Sequence, residues 1–141
     1  MERAGLQFAL DRLVGRIRTQ FRGSVRFLFD SSVRVPINIA NSWYKIAELV
    51  LENAVKHAGA TKIEVHVKST PKTAIMEVRD NGSGFSILEA KLKLAGLGLL
   101  LIEHYATRAP ISIDIKTSPG KGTVVRSTYN AMGESSPSQT R

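Results

Sequence analysis

The chain has 141 residues, of which 43% are apolar and 23% charged, with no cysteine and a formal net charge of +8. That length suits one domain with a single sizeable core, and the composition excludes structural disulfides, thiolate metal sites and any apolar run near the ~20 residues of a membrane-spanning helix. The positive charge implies an anionic partner, whether nucleotide, acidic protein, nucleic acid or membrane surface, although basic residues this scattered also suit a plain solvated surface.

The first predicted element is a helix. Leu6, Ala9, Leu10, Leu13, Val14, Ile17 and Phe21 recur at helical spacing, Arg12, Arg16 and Gln20 fall on other faces, and Gly23 ends it. Val25, Phe27 and Phe29 then alternate with Arg26, Leu28 and Asp30, the pattern of a half-buried strand. Pro36 favours a helix start, and a long helix is expected from there to His57 or Ala58, closed by Gly59. Its core stripe is Trp43, Ile46, Ala47, Val50 and Ala54. On a neighbouring face Leu49, Asn53, Lys56 and His57 fall at i, i+4, i+7 and i+8. An amide beside two basic groups suits a metal–phosphate site. It also suits a satisfied core amide with Lys56 and His57 complementing the helix dipole, and this helix taken alone favours the second reading.

Ile63, Val65 and Val67 alternate with Lys62, Glu64, His66 and Lys68. A turn at Thr70-Pro71-Lys72 returns the chain into Thr73 to Arg79, predicting a hairpin with one face toward the helices. His66 falls on the polar phase and reads as surface. The stretch Asp80-Asn81-Gly82-Ser83-Gly84-Phe85 follows. An acid at a strand end can accept a hydrogen bond from an exocyclic amine, and glycines beside it let a flat ligand approach the backbone. Alone, Asn-Gly after a strand is equally a turn signal. Residues 86 to 95 form a short segment whose Leu88, Leu92 and Ala95 would pack as a two-turn helix. Gly96-Leu97-Gly98 then opens a helix expected from Leu99 to about Thr107, whose N-terminal N–H groups suit an anion. Ile111, Ile113 and Ile115 alternate as a strand, Pro119-Gly120-Lys121-Gly122 turns, and Thr123 to Tyr129 returns as the last strand. Residues 133–141, rich in serine and without apolar side chains, are expected to be a disordered tail.

Four stretches in this order are informative together: Tyr44 to Ala60 with Asn53, Asp80 to Gly84, Gly96 to Leu100, and Ser118 to Thr123. They resemble the N, G1, G2 and G-T boxes of the GHKL ATP-binding domain, and most of all that of the NarX/DesK/NreB-type sensor histidine kinases. The resemblance covers about residues 4 to 130. It implies a two-layer α/β sandwich of Bergerat type, with a mixed, mostly antiparallel sheet and helices on one face. One domain is expected over 1–132, including a lead-in helix and strand at 4–30, with Met1 as the start of an excised piece.

The resemblance also implies the chemistry. Asp80 would hold the adenine amine, with Thr123 supporting it through water. Asn53 would bind Mg²⁺, and Lys56, His57 and the backbone of Gly96, Leu97, Gly98, Leu99 and Leu100 would lie nearest the phosphates. Gly82 and Gly84 would leave room for the base beside Phe85, and residues 86–95 would be the lid. The implied function is the ATP-binding catalytic domain of a two-component kinase. It would supply the γ-phosphoryl group to a histidine on separate dimerisation helices and, through them, serve a response regulator. A cytoplasmic setting, a monomeric isolated chain, and no nucleic-acid or membrane contact are expected.

Two departures bear on that expectation. Many relatives carry a glutamate four residues before the N-box Asn, where this chain has Leu49. Glu48 lies about 140° round the helix from Asn53 at ~100° per residue, so it points elsewhere. A leucine accepts no proton, which argues against hydrolysis and against a serine kinase of the anti-sigma-factor type. It leaves a histidine kinase fragment or a degenerate domain. Of the histidines, His57, His66 and His104 all fall inside the nucleotide-binding region and none opens a phosphoacceptor motif.

Overall fold

A computed structural model describes residues 3–57, 60–82, 111–117 and 120–130. The segment at 86–95, the helix expected from Leu99, and the tail at 133–141 lie outside the described residues. The elements run α1 (Arg3–Gln20), β1 (Ser24–Phe29), α2 (Ile37–His57), β2 (Lys62–Ser69), β3 (Thr73–Asp80), β4 (Ile111–Thr117) and β5 (Thr123–Asn130).

The strands form one sheet in the order β1-β2-β3-β5-β4. β1 pairs with β2 in parallel, Val25 opposite Ile63, and the other pairings are antiparallel. A parallel pair needs a crossover, and α2 supplies it. Gly23 is where that start is tightest. A Cβ there would collide with the Thr61 carbonyl oxygen, which accepts the hydrogen bond from Ser24 N–H (3.0 Å) that begins the pairing.

The helices cover one face of the sheet. Leu6, Leu10, Leu13, Val14 and Ile17 of α1, and Trp43, Ile46, Ala47, Val50 and Ala54 of α2, are all buried, as their spacing predicts. They pack against Ile63, Val65 and Val67 of β2 and Ala74, Met76 and Val78 of β3. Burying each large apolar side chain contributes about 1.5–3 kcal/mol, so this layer dominates the stability. Pro36 acts as expected: its carbonyl accepts from Ala40 N–H (3.0 Å), starting α2. Polar contacts also join the layers: Arg18 of α1 donates to the Val25 carbonyl of β1 (2.8 Å), and one contact is fully buried. The Trp43 indole N–H donates to Ser127 Oγ on β5 (2.9 Å), with both residues fully buried.

The opposite face departs from simple alternation. Glu77 lies on it, yet is only 6% exposed. Arg79 reaches one carboxylate oxygen (2.9 Å) and Arg126 the other (2.8 Å), so the two arginines clamp the acid and bury it without a described helix above it. Burial pushes the Glu77 carboxyl up, but the hydrogen bonds and charges of Arg79 and Arg126 together outweigh it and hold it below its usual range.

Removing the Ser127 hydroxyl leaves the Trp43 N–H unsatisfied in the core. Ser127→Ala is therefore expected to cost about 1–3 kcal/mol in urea unfolding. Stability equal to the parent's would show that the indole finds another acceptor.

Candidate functional site

Asp80 is the last residue of β3 and shares the helix-facing phase with Ala74, Met76 and Val78. It stands opposite Ile63 on one side and Thr123 on the other. Only 8% exposed, it has no cation within ion-pair distance among the described residues. Its Oδ1 accepts from Gly82 N–H (2.8 Å), an Asx turn that bends the chain out of the strand. Burial raises the carboxyl above its ordinary value, and the backbone N–H groups of Gly82 and Thr123 offset this only in part.

The frame around Asp80 is rigid. Thr123, also buried, brings its Oγ1 within 2.9 Å of Thr117 Oγ1 on β4. Gly122 has φ +78°, and a Cβ there would collide with the Asp80 carbonyl oxygen, so glycine is required by conformation and by space. On the other side Asn81 Oδ1 accepts from the Thr61 and Lys62 N–H groups (both 2.9 Å), while its Nδ2 donates to Thr61 Oγ1 (3.0 Å). Asn81 and Gly122 read only as turn residues in the sequence, and Thr117 was not singled out. The signal at Asn81 was present, because an Asn directly after a strand commonly ties backbone groups with its side chain.

Asn53 and Lys56 stand on the last turns of α2. The connection from His57 to Lys62 is short, and Ile63 pairs with Asp80, so the C-terminal end of α2 and the Asp80 strand end lie at the same end of the sheet. Asn53 is half-buried, and its carboxamide makes no hydrogen bond among the described residues. Lys56 is exposed, and Leu49 is half-buried against the core. Glu48 is engaged elsewhere, by Arg16 of α1 (3.1 Å) and Lys45 (3.6 Å). The structure thus gathers Asp80, Gly82 and Thr123, with Asn53 and Lys56 on the helix that leads to them. The His57 side chain and Gly84, Phe85, Gly96, Leu97, Gly98, Leu99 and Leu100 lie outside the described residues.

Among the described residues, no group of three histidine or acidic side chains is placed to hold a metal ion. A hard cation such as Mg²⁺ accepts one amide oxygen and takes its other ligands from phosphates and water, which fits an unpartnered Asn53 carboxamide. No described helix is long and apolar enough to cross a membrane.

The family described as histidine kinase-, DNA gyrase B- and HSP90-like ATPase matches residues 39–131. The chain is 34% identical over 95 residues to the sensor histidine kinase YdfH of Bacillus subtilis, which covers 67% of this chain and 23% of that protein. It therefore spans about a quarter of that relative's length. Among solved structures it is similar to the histidine kinase domain of an Erythrobacter litoralis blue-light activated histidine kinase, with TM-score 0.73 and 19% identity over 87% of this chain and 59% of that one. It is similar too to the Acinetobacter baumannii histidine kinase AdeS (TM-score 0.72, 13% identity, 89% of this chain and 64% of that one). The mycobacterial sensor histidine kinase MprB gives TM-score 0.64 and 18% identity over 92% of this chain and 95% of that one. These likenesses are in fold.

The raised Asp80 carboxyl has a testable consequence for stability. A carboxyl raised on folding favours the protonated native state, so its contribution is full below the unfolded value and is lost as pH rises through the folded one. Asp80→Asn keeps an acceptor for Gly82 N–H and removes the buried charge. In denaturant unfolding across pH, the parent should lose stability relative to Asp80→Asn as pH rises from below the ordinary aspartate range to neutrality. A parent that gains relative stability over that window would contradict the assignment.

Proposed function

The chain belongs to the histidine kinase-, DNA gyrase B- and HSP90-like ATPase family, and we propose that it binds ATP with Mg²⁺ as the catalytic domain of a cytoplasmic sensor histidine kinase module. The observation that carries this reading is Asp80, a buried carboxylate at a strand end with, among the described residues, only backbone N–H groups as donors. A carboxylate so placed accepts from a neutral amine, such as the exocyclic amine of adenine. Thr123 supports the same edge through water. Gly82 and Gly84 leave room for the base beside Phe85.

Asn53 offers its amide oxygen to Mg²⁺, which, when bound with the nucleotide, draws charge from the phosphate oxygens. Lys56, His57 and the Gly96–Leu100 backbone are assigned to the phosphates. The function of these groups is to position and neutralise, which is most of what phosphoryl transfer asks of a protein. No carboxylate among the described residues of α2 faces this end in the place of Leu49, and Glu48 is held by Arg16. Water is therefore not activated here. The nucleophile is a histidine on dimerisation helices outside this chain, and the phosphoryl group passes from there to a response regulator. That the Bacillus relative is a sensor histidine kinase supports this kinase reading over a hydrolase one.

Asp80→Asn should weaken ATP–Mg²⁺ binding by more than about tenfold in calorimetric titration, since a hydrogen bond to a buried charged group is worth roughly 1.5–3 kcal/mol. Unchanged affinity would overturn the pocket assignment. Steady ATP hydrolysis by the chain should be negligible, while a matched two-helix phosphoacceptor domain supplied in trans should become phosphorylated on histidine. Robust hydrolysis would contradict the role given to Leu49. Binding without transfer would identify a degenerate domain.

A further inference from the structure

The sheet face turned away from the helices carries a groove of about 430 Å³ at the corner where β1, β2 and β3 meet the β4–β5 turn. Arg26, Lys62, Arg79 and Lys121 line it, and Glu64 is the acid on its open-face wall. Asp80 also borders it, but its side chain belongs to the helix-facing phase. Glu64 is paired with Arg26 at 3.6 Å. Lys62 and Lys121 have no acidic partner among the described residues, so the groove holds uncompensated positive charge.

The backbone that carries these cations is also held in place. Asn81 accepts from Lys62 N–H (2.9 Å) and its own N–H donates to the Lys62 carbonyl (3.2 Å), which fixes the start of β2. Lys121 sits between Gly120 (φ +80°) and Gly122 (φ +78°), in a turn closed against Asp80. Arg79 gives only one nitrogen to the buried Glu77 (2.9 Å) and keeps further N–H donors for a second carboxylate. Ordering this backbone before a partner arrives removes part of the cost of binding.

We infer that this groove docks an acidic segment of a partner protein, whose carboxylates are received by Lys62, Lys121 and Arg79. Charge complementarity argues for a polyanion, and the form of the groove argues for a peptide over a nucleic acid. Its cations converge on one corner instead of tracking along a phosphate backbone, and among the described residues no aromatic side chain lines it to stack a base. Glu64 would repel a phosphodiester chain, whereas a peptide can lay an uncharged residue over it and over Val124. The cations face away from the helices, on the side of the sheet opposite the one the Asp80 carboxyl shares with Ala74, Met76 and Val78.

The test uses a short peptide in which Glu alternates with Ala, titrated into the chain at low salt, with a DNA duplex of matched charge in parallel. The peptide should bind, and it should bind at least about tenfold more weakly to the Lys62→Glu/Lys121→Glu double variant, because two attractions become two repulsions. Amide NMR shifts should move at Ser24, Lys62, Glu64 and Arg79. An unchanged ATP affinity and unfolding profile in Lys62→Glu would show that a loss there is local. No measurable peptide binding, equal binding by the double variant, shifts confined to other surfaces, or tighter binding of the duplex would each overturn the proposal.

Discussion

The position of α2 over the sheet governs almost everything else in this domain, and the buried hydrogen bond from Trp43 to Ser127 fixes it. The apolar stripe of the helix would tolerate small slides and rotations, since hydrophobic contact has little direction. A buried N–H has one acceptable geometry, and missing it costs about as much as burying a methylene or two contributes. The same helix bridges the parallel strands β1 and β2 and carries Asn53 near its end. One hydrogen bond thus sets the rotation of α2, and that rotation decides which side chains stand over the Asp80 end of the sheet.

Asp80 itself works against the fold. Its carboxylate is buried without a cation among the described residues, and the Asx turn to Gly82 meets only part of its hydrogen-bonding need. The surroundings compensate by leaving the backbone no freedom to withdraw it: Gly122 fits against its carbonyl, Thr123 and Thr117 join β5 to β4, and Asn81 ties β3 to β2. Rigid support around an unfavourable charge is the arrangement expected where recognition, and not stability, selects the residue.

Much of the fold was legible because its signals are local. Apolar spacing marked α1, α2 and the strands, Pro36 and Gly23 marked ends, and the predicted core stripe of α2 is buried throughout. Other features depend on register and could not be read along the chain. Glu77 falls on the polar phase of its strand and looks like surface. It is buried because Arg126, far along the sequence, pairs opposite it across β3 and β5. Leu28 follows the polar phase too, yet is half-buried. Of the site, Asp80, Gly82 and Thr123 were visible as residues, while their adjacency comes from a strand pairing that sequence alone does not supply.

Glu77 and Asp80 make the physical basis of the site explicit. They are three residues apart on one strand, both buried, and on opposite faces. Glu77 has two guanidiniums and is held below its ordinary range, whereas Asp80 has only backbone N–H groups and is raised above its own. A carboxylate saturated by arginine has no reason to exchange a charged donor for a neutral one, because charge-assisted bonds are roughly twice as strong. An uncompensated carboxylate gains from any donor that enters, including an uncharged amine. Placing an arginine beside Asp80 would therefore stabilise the domain and close the site to a neutral base. On the proposed reading, the lack of a cation there, among the described residues, is the condition that would let the strand end recognise one.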